Sequence, residues 1–141
     1  MPLDPQNVKD IGALLRTANR ILMISHKSPD GDTLGAALGL YQAFKNMGKS
    51  PEVVCLDAPP EVFSFMPNIE QVRVGQPTLD YDAYFVVDAG ATHLTGFNTT
   101  HPALFDKSLP VVNLDHHPTN DFYGRYNLVR QLVAQAPSDG K

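Results

Sequence analysis

Imidazole and carboxylate side chains collect at three places in this chain, each directly after an apolar run. Ile21-Leu22-Met23-Ile24-Ser25 leads into His26 and then Asp30-Gly31-Asp32; Ala83-Tyr84-Phe85-Val86-Val87 leads into Asp88; Pro110-Val111-Val112-Asn113-Leu114 leads into Asp115-His116-His117. Such nitrogen and oxygen donors suit Mn²⁺, Fe²⁺ or Zn²⁺. A tight turn at Pro29 and Gly31 would swing Asp30 and Asp32 back toward His26, and the kink lets the two carboxylates address two neighbouring ions. Asp88, alone at the end of its run, suits a carboxylate that bridges both ions. Of two consecutive imidazoles, one can ligate metal while the other meets substrate, and Asp115 could orient an imidazole from behind. The helix starting near Thr33 would add N-terminal amides, which with the helix dipole favour a phosphate. Taken alone, the first cluster is explained equally well by an Asp-Gly turn plus a helix cap, and Asp88 by a strand-end cap. The three clusters together favour metal chemistry.

Groups this far apart in sequence need a scaffold that brings them to one edge. Asn7 or Asp10 is placed to cap a helix running to about Arg20, with Ile11, Leu14 and Leu15 at helical spacing. The apolar run before His26 reads as a strand buried on both faces. A second helix is expected from about Thr33 to Met47, with Leu34, Ala37, Leu38, Tyr41 and Phe44 on one face and Gly48 ending it. Strands follow at Glu52 to Leu56, Gln71 to Val74, Tyr84 to Asp88 and Val111 to Leu114, with short helices around Glu61 to Met66 and Pro102 to Phe105. Beyond Asn120 the pattern weakens. Strands alternating with helices predict an α/β fold: a three-layer, mostly parallel β-sheet flanked by helices. Such sheets bind ligands at the carboxyl ends of their strands, where all three clusters would fall. One domain is expected over residues 1–129, with 130–141 a disordered tail.

Composition narrows the partners. The chain has 141 residues, 43% of them apolar, enough for one domain with a real core. A net charge of −4 argues against broad binding to long duplex nucleic acid, which needs a basic surface. A short anionic substrate held through metal ions remains compatible with it. The single cysteine, Cys55, excludes an intrachain disulfide and reads as a small core residue in a reducing, cytoplasmic setting. No run approaches the ~20 apolar residues of a membrane span, and no leader sequence is visible in residues 1–20. Phe63, Phe65 and Met66 are expected to pack rather than form a base-stacking platform, and His93 and His101 to lie outside the site.

The three motifs in this order resemble the DHH phosphoesterase superfamily, and Ser25-His26 with Pro29-Asp30-Gly31-Asp32 and Gly35 looks most like its nano-RNA/pAp phosphatase branch, close to the RecJ-like enzymes. The resemblance covers about residues 7–129. It implies that His26, Asp30 and Asp88 hold one Mn²⁺ and that Asp32, Asp88 and His116 hold a second, with Mg²⁺, Fe²⁺ or Zn²⁺ as alternatives. It further implies that His117 contacts the scissile phosphate, that Asp115 supports the histidines, and that a water activated by two metals attacks phosphorus. The implied substrate is a small nucleotide or short oligonucleotide; independently of the resemblance, a homodimer stays open. Relatives carry a fourth-motif Asp and a C-terminal substrate domain. Here the only acids beyond His117 are Asp121 and Asp139, and Leu94 stands where many relatives have Arg. The chain is therefore expected to be the N-terminal domain alone. Two alternatives stay open: a catalytically incomplete module that binds metal or nucleotide for a partner, and a pyrophosphatase-like enzyme.

Overall fold

A computed structural model describes residues 4–130, and the tail expected at 130–141 lies, apart from Arg130, outside them. Helix α1 spans Pro5–Thr17 and is capped by Asp4, whose carboxylate accepts from the Gln6 N–H. The cap therefore lies upstream of Asn7 and Asp10, because Asp4-Pro5 joins a capping side chain to the one helical position that suits proline. The helix stops at Thr17 because Arg20 already belongs to β1 (Arg20–Ser25). Helix α2 (Gly31–Asn46) starts two residues earlier than its apolar stripe indicates, since Asp30 caps it by accepting from the Thr33 N–H at 3.0 Å. The remaining strands are β2 (Ser50–Cys55), β3 (Val72–Val74), β4 (Ala83–Val87), β5 (Val111–Asp115) and β6 (Tyr126–Val129). The short helices around 61 and 102 are single 3₁₀ turns, Glu61–Phe63 and Pro102–Leu104, and another forms at Thr92–Thr95.

Among the described residues six strands form one sheet in the order β3-β2-β1-β4-β5-β6, with every pairing parallel. Strand β6 escapes the sequence pattern because its edge position leaves Tyr126, Asn127 and Leu128 half-buried, so no continuous apolar run marks it. The order reverses between β1 and β4, which opens a crevice at their carboxyl ends. Register then sets the site. Ser25 pairs with Val87, and Val87 with Leu114, so the next residues, His26, Asp88 and Asp115, emerge in one row.

Side chains alternate across the sheet with the strand period of two. Ile21, Met23, Phe85, Val87 and Val112 face α1 and α2, packing with Ile11, Ala37, Tyr41 and Phe44. Leu22, Ile24, Tyr84, Val86 and Val111 face the other way, where Phe97, Leu104 and Tyr123 close the second core. Both regular helices contribute to the first core, and 3₁₀ turns and loops supply the layer over the second. Cys55 is fully buried, as expected. Phe65 is not packed: it is 78% exposed on the loop after β2, beside Val62 at 72%. Gly124 lies where the chain turns into β6, and a methyl group there would come within 2.6 Å of the Tyr126 carbonyl oxygen and 2.9 Å of Asn113 Cβ. Gly124→Ala is expected to destabilise the fold by about 1–3 kcal/mol, the usual cost of overpacking, read as a lower urea midpoint.

Candidate metal centre

Asp88 sits at the middle of the row and is 7% exposed. Its backbone is left-handed, with φ 60°, a conformation that Asp and Asn tolerate better than other side chains. Its N–H donates to the Leu114 carbonyl at 2.9 Å, which locks the turn after β4 to β5. The carboxylate then faces two imidazoles, one per oxygen. His26 Nε2 lies 3.7 Å from Oδ2, an ion-pair distance beyond hydrogen-bond reach, and His116 Nε2 lies 2.9 Å from Oδ1.

His26 is oriented for this by its own neighbour. Its Nδ1 is 2.7 Å from the Lys27 carbonyl oxygen, which can only accept, so Nδ1 carries the proton and Nε2 presents its lone pair to Asp88 and Asp30 in the neutral ring. Asp30 Oδ1 lies 3.6 Å from the same Nε2. Asp30 therefore caps α2 and at the same time faces His26. The turn that carries His26 is tied down by the Ser28 N–H donating to Asp57 at 2.7 Å and by the Cys55 thiol donating to the His26 carbonyl at 3.2 Å.

Thr33 serves this hinge. Its hydroxyl donates to the Val87 carbonyl at 3.1 Å and accepts from the His26 N–H at 3.3 Å, while its own N–H is taken by Asp30. Its carbonyl accepts from Ser25 Oγ at 3.4 Å. The residue is fully buried, and its polar atoms are spent joining β1, β4 and α2.

His116 and His117 stack at 4.7 Å between ring centroids. They address different partners, as consecutive residues leaving a strand do: His116 turns to Asp88, and His117 Nδ1 donates to Asp115 Oδ1 at 2.6 Å. Asp115 Oδ2 accepts from Asn120 at 2.8 Å, so both its oxygens are engaged. Asp32, on the exposed first turn of α2, lines a cavity of about 390 Å³ together with Asp88, Asp115, His116, Ala36 and Leu114.

The donors fall into two groups that share Asp88. His26, Asp30 and Asp88 offer ligand atoms within 4.8 Å of one another, as do Asp88, Asp115, His116 and His117; Asp32 stands outside both. Nitrogen and carboxylate oxygen donors converging on one shared carboxylate, with His26 Nε2 free to ligate, fit divalent ions of the Mn²⁺ or Zn²⁺ kind. His93 is exposed, and His101 packs edge-on against Phe97 and bonds Thr100; neither belongs to the two donor groups.

The charges are coupled. The Asp88 carboxylate holds the His26 imidazole above the ordinary histidine pKa, against the opposing effect of burial. Burial pushes Asp88 up, but His26 and His116 outweigh it and hold the carboxyl below the usual range. The stabilisation from His26 is full below about pH 6.5 and is lost as pH rises through its raised value; that from Asp88 is full above about pH 3.9 and is lost as pH falls through its lowered value. In chelator, the Tm difference between the wild type and Asp88→Asn is therefore expected to peak between roughly pH 4 and 6.5. A difference that keeps growing above pH 8 would contradict this coupling.

Sequence reasoning passed over Asn120, Asn113 and Tyr123. Asn113 was visible as a polar residue inside the apolar run of β5. Tyr123 gave no local signal, yet it is buried and donates to the Ala89 carbonyl at 2.7 Å, bracing the loop after Asp88.

Comparison with known proteins gives this constellation a family. The bifunctional oligoribonuclease and PAP phosphatase NrnA of Thermus thermophilus is 33% identical over 113 residues, covering 77% of this chain and 31% of that protein. The protein of the same name from Mycoplasma genitalium is 31% identical over 109 residues, covering 76% and 33%. The chain thus spans about a third of the length of these relatives. The crystal structure of an exopolyphosphatase-related protein from Bacteroides fragilis superposes with a TM-score of 0.80 at 21% identity, over 90% of this chain and 39% of that one, which speaks for the fold. The profile of the DHH family, N-terminal domain, matches residues 20–136, a stretch that holds all three motifs, and the chain belongs to that family.

Proposed function

We propose that this chain is the metal-binding domain of a phosphoesterase that hydrolyses a short nucleotide substrate, an oligonucleotide of a few residues or a pAp-like monoester. The observation that carries the reading is Asp88, which faces an imidazole on each carboxylate oxygen at the reversal point of the sheet. The names of the relatives, oligoribonuclease and PAP phosphatase, support the substrate class.

In this reading His26, Asp30 and Asp88 hold one divalent ion, Mn²⁺ first among the candidates, and Asp88 and His116, with Asp32 at the cavity wall, hold another. Bound there, two such ions supply Lewis acidity, lowering the pKa of water and neutralising charge on phosphoryl oxygens. The chain's own residues do the rest. Lys27 keeps His26 in the ligating tautomer. Asp115 fixes the His117 ring by its Nδ1, which leaves Nε2 to accept a proton in the neutral ring and, in the protonated ring, to donate to a phosphate oxygen or the leaving group. Ala36 and Leu114 give the cavity an apolar wall that suits a sugar or base next to the phosphate.

Hydrolysis of a dinucleotide, pAp and inorganic pyrophosphate should be measured side by side with added Mn²⁺. Turnover of the two nucleotides above pyrophosphate is expected. Preference for pyrophosphate would move the chain to the pyrophosphatase-like reading. A second reading, a module that binds metal or nucleotide without turnover, draws on Asp32 standing outside both donor groups; bound Mn²⁺ with no hydrolysis of any of the three would establish it.

A further inference from the structure

We propose that Asn120 is a positioning residue for the Asp115–His117 pair, set in place by a buried amide relay that runs from edge strand β6 through Asn127 and Asn113. The inference rests on the reading above only in giving His117 a reaction to serve; the relay is a matter of geometry.

Asn113 is fully buried in the middle of β5, and Asn120 is 5% exposed in the loop after His117. Asn113 Nδ2 donates to Asn120 Oδ1 at 2.7 Å and to Asn127 Oδ1 at 2.9 Å. Asn120 Nδ2 donates back to Asn113 Oδ1 at 3.1 Å and onward to Asp115 Oδ2 at 2.8 Å. An amide can be turned over, exchanging its donor and acceptor ends, unless a fixed group decides. Here backbone groups decide. The Phe122 N–H, which can only donate, points at Asn120 Oδ1 at 2.8 Å. The Gly124 N–H does the same to Asn127 Oδ1 at 3.0 Å, and the Gly124 carbonyl accepts from Asn127 Nδ2 at 2.9 Å. With both outer amides fixed, Asn113 has one orientation left. The N–H that emerges from the relay must therefore point at Asp115.

This accounts for features that otherwise stand apart. Phe122 keeps a left-handed backbone, φ 58°, unusual for an aromatic residue, in the conformation that aims its N–H at Asn120. An amide occupies a strand position where Val112 and Leu114 are its neighbours. Asn120 holds one oxygen of Asp115, the other oxygen holds His117 Nδ1, and Gly90 closes the far side, where an added Cβ would come within 3.3 Å of His117 Cβ. Without Asn120 the carboxylate loses a fixed partner and can turn, which loosens its hold on the His117 Nδ1–H.

The test reads the ring itself. The full chain, uniformly ¹⁵N-labelled, is studied at pH 8 in chelator by long-range proton–nitrogen correlation, with His117→Gln assigning the ring. The wild type is expected to show His117 as the Nδ1–H tautomer. Asn120→Ala is expected to convert it to a mixture dominated by Nε2–H, with the His26 signals unmoved; Asn127→Ala is expected to give a smaller shift in the same direction. A role confined to stability would lower Tm and leave the tautomer as it was. A folded Asn120→Ala chain that retains Nδ1–H overturns the proposal. Should that variant not fold, an unchanged tautomer in Asn127→Ala overturns it. Where Mn²⁺-dependent turnover of a dinucleotide is measurable, Asn120→Ala should lower kcat about 10- to 100-fold with KM little changed. If the chain proves inactive and the tautomer still shifts, the functional reading fails and the positioning role stands.

Discussion

Asp88→Asn is expected to remove tight Mn²⁺ binding from both donor groups at once, weakening each by more than about 100-fold. Loss of an outer partner of a metal ligand already costs about 10- to 100-fold in affinity, and Asp88 is the one carboxylate common to both groups. Asparagine isolates the charge from other effects. It is close in shape, and it accepts the left-handed backbone at this position, where alanine would add strain of about 1–2 kcal/mol. Asp32→Asn is the contrasting variant: it should spare the group formed by His26, Asp30 and Asp88, which is expected to fill first in the wild type. Calorimetric titration with Mn²⁺ measures both, and a melt in chelator at neutral pH checks that each variant is folded. Binding by Asp88→Asn within tenfold of the wild type would remove Asp88 from the centre of the site.

The strands that carry the site were legible because each is buried on both faces and so reads as a largely apolar run, broken only at Asn113 in β5. The place of the candidate donors in the fold was legible for the same reason: a charged residue at the end of such a run has to emerge at the edge of the sheet. The sequence does not show which strands are neighbours. The row of His26, Asp88 and Asp115 depends on Ser25, Val87 and Leu114 sharing register, a property of the assembled sheet. Edge strand β6 was lost because half-burial mixes polar and apolar residues. The bonds of the Thr33 hydroxyl to Val87 and His26 were not legible either, because a threonine at a helix start can turn its hydroxyl to solvent or to a neighbouring strand, and only packing decides. Phe65 shows the converse, an apolar residue that packing leaves outside. Asn113 was the clearest signal left unread, since an amide inside a β-branched strand has to find partners.

His117→Ala is expected to lower Mn²⁺-dependent hydrolysis of a dinucleotide by about 10²- to 10⁴-fold, the usual contribution of a positioned acid or base, while leaving Mn²⁺ affinity within a few-fold. The two imidazoles of the pair divide the work by direction. His116 turns its Nε2 to Asp88, and His117 is held by Asp115 through Nδ1 with its ring stacked alongside. His116→Ala should therefore lose metal affinity and hydrolysis together. His117→Ala should lose hydrolysis alone, mainly in kcat, because in the proposed function the group it removes acts on the phosphate rather than on the ions. Calorimetry and single-turnover assays at saturating Mn²⁺ separate the two. If His117→Ala also abolished Mn²⁺ binding, His117 would be a ligand, in keeping with its place among the donor atoms clustered around Asp88. If it retained hydrolysis within tenfold, the leaving group would depart without help from this residue, and the tight Asp115–His117 contact would have a structural purpose only.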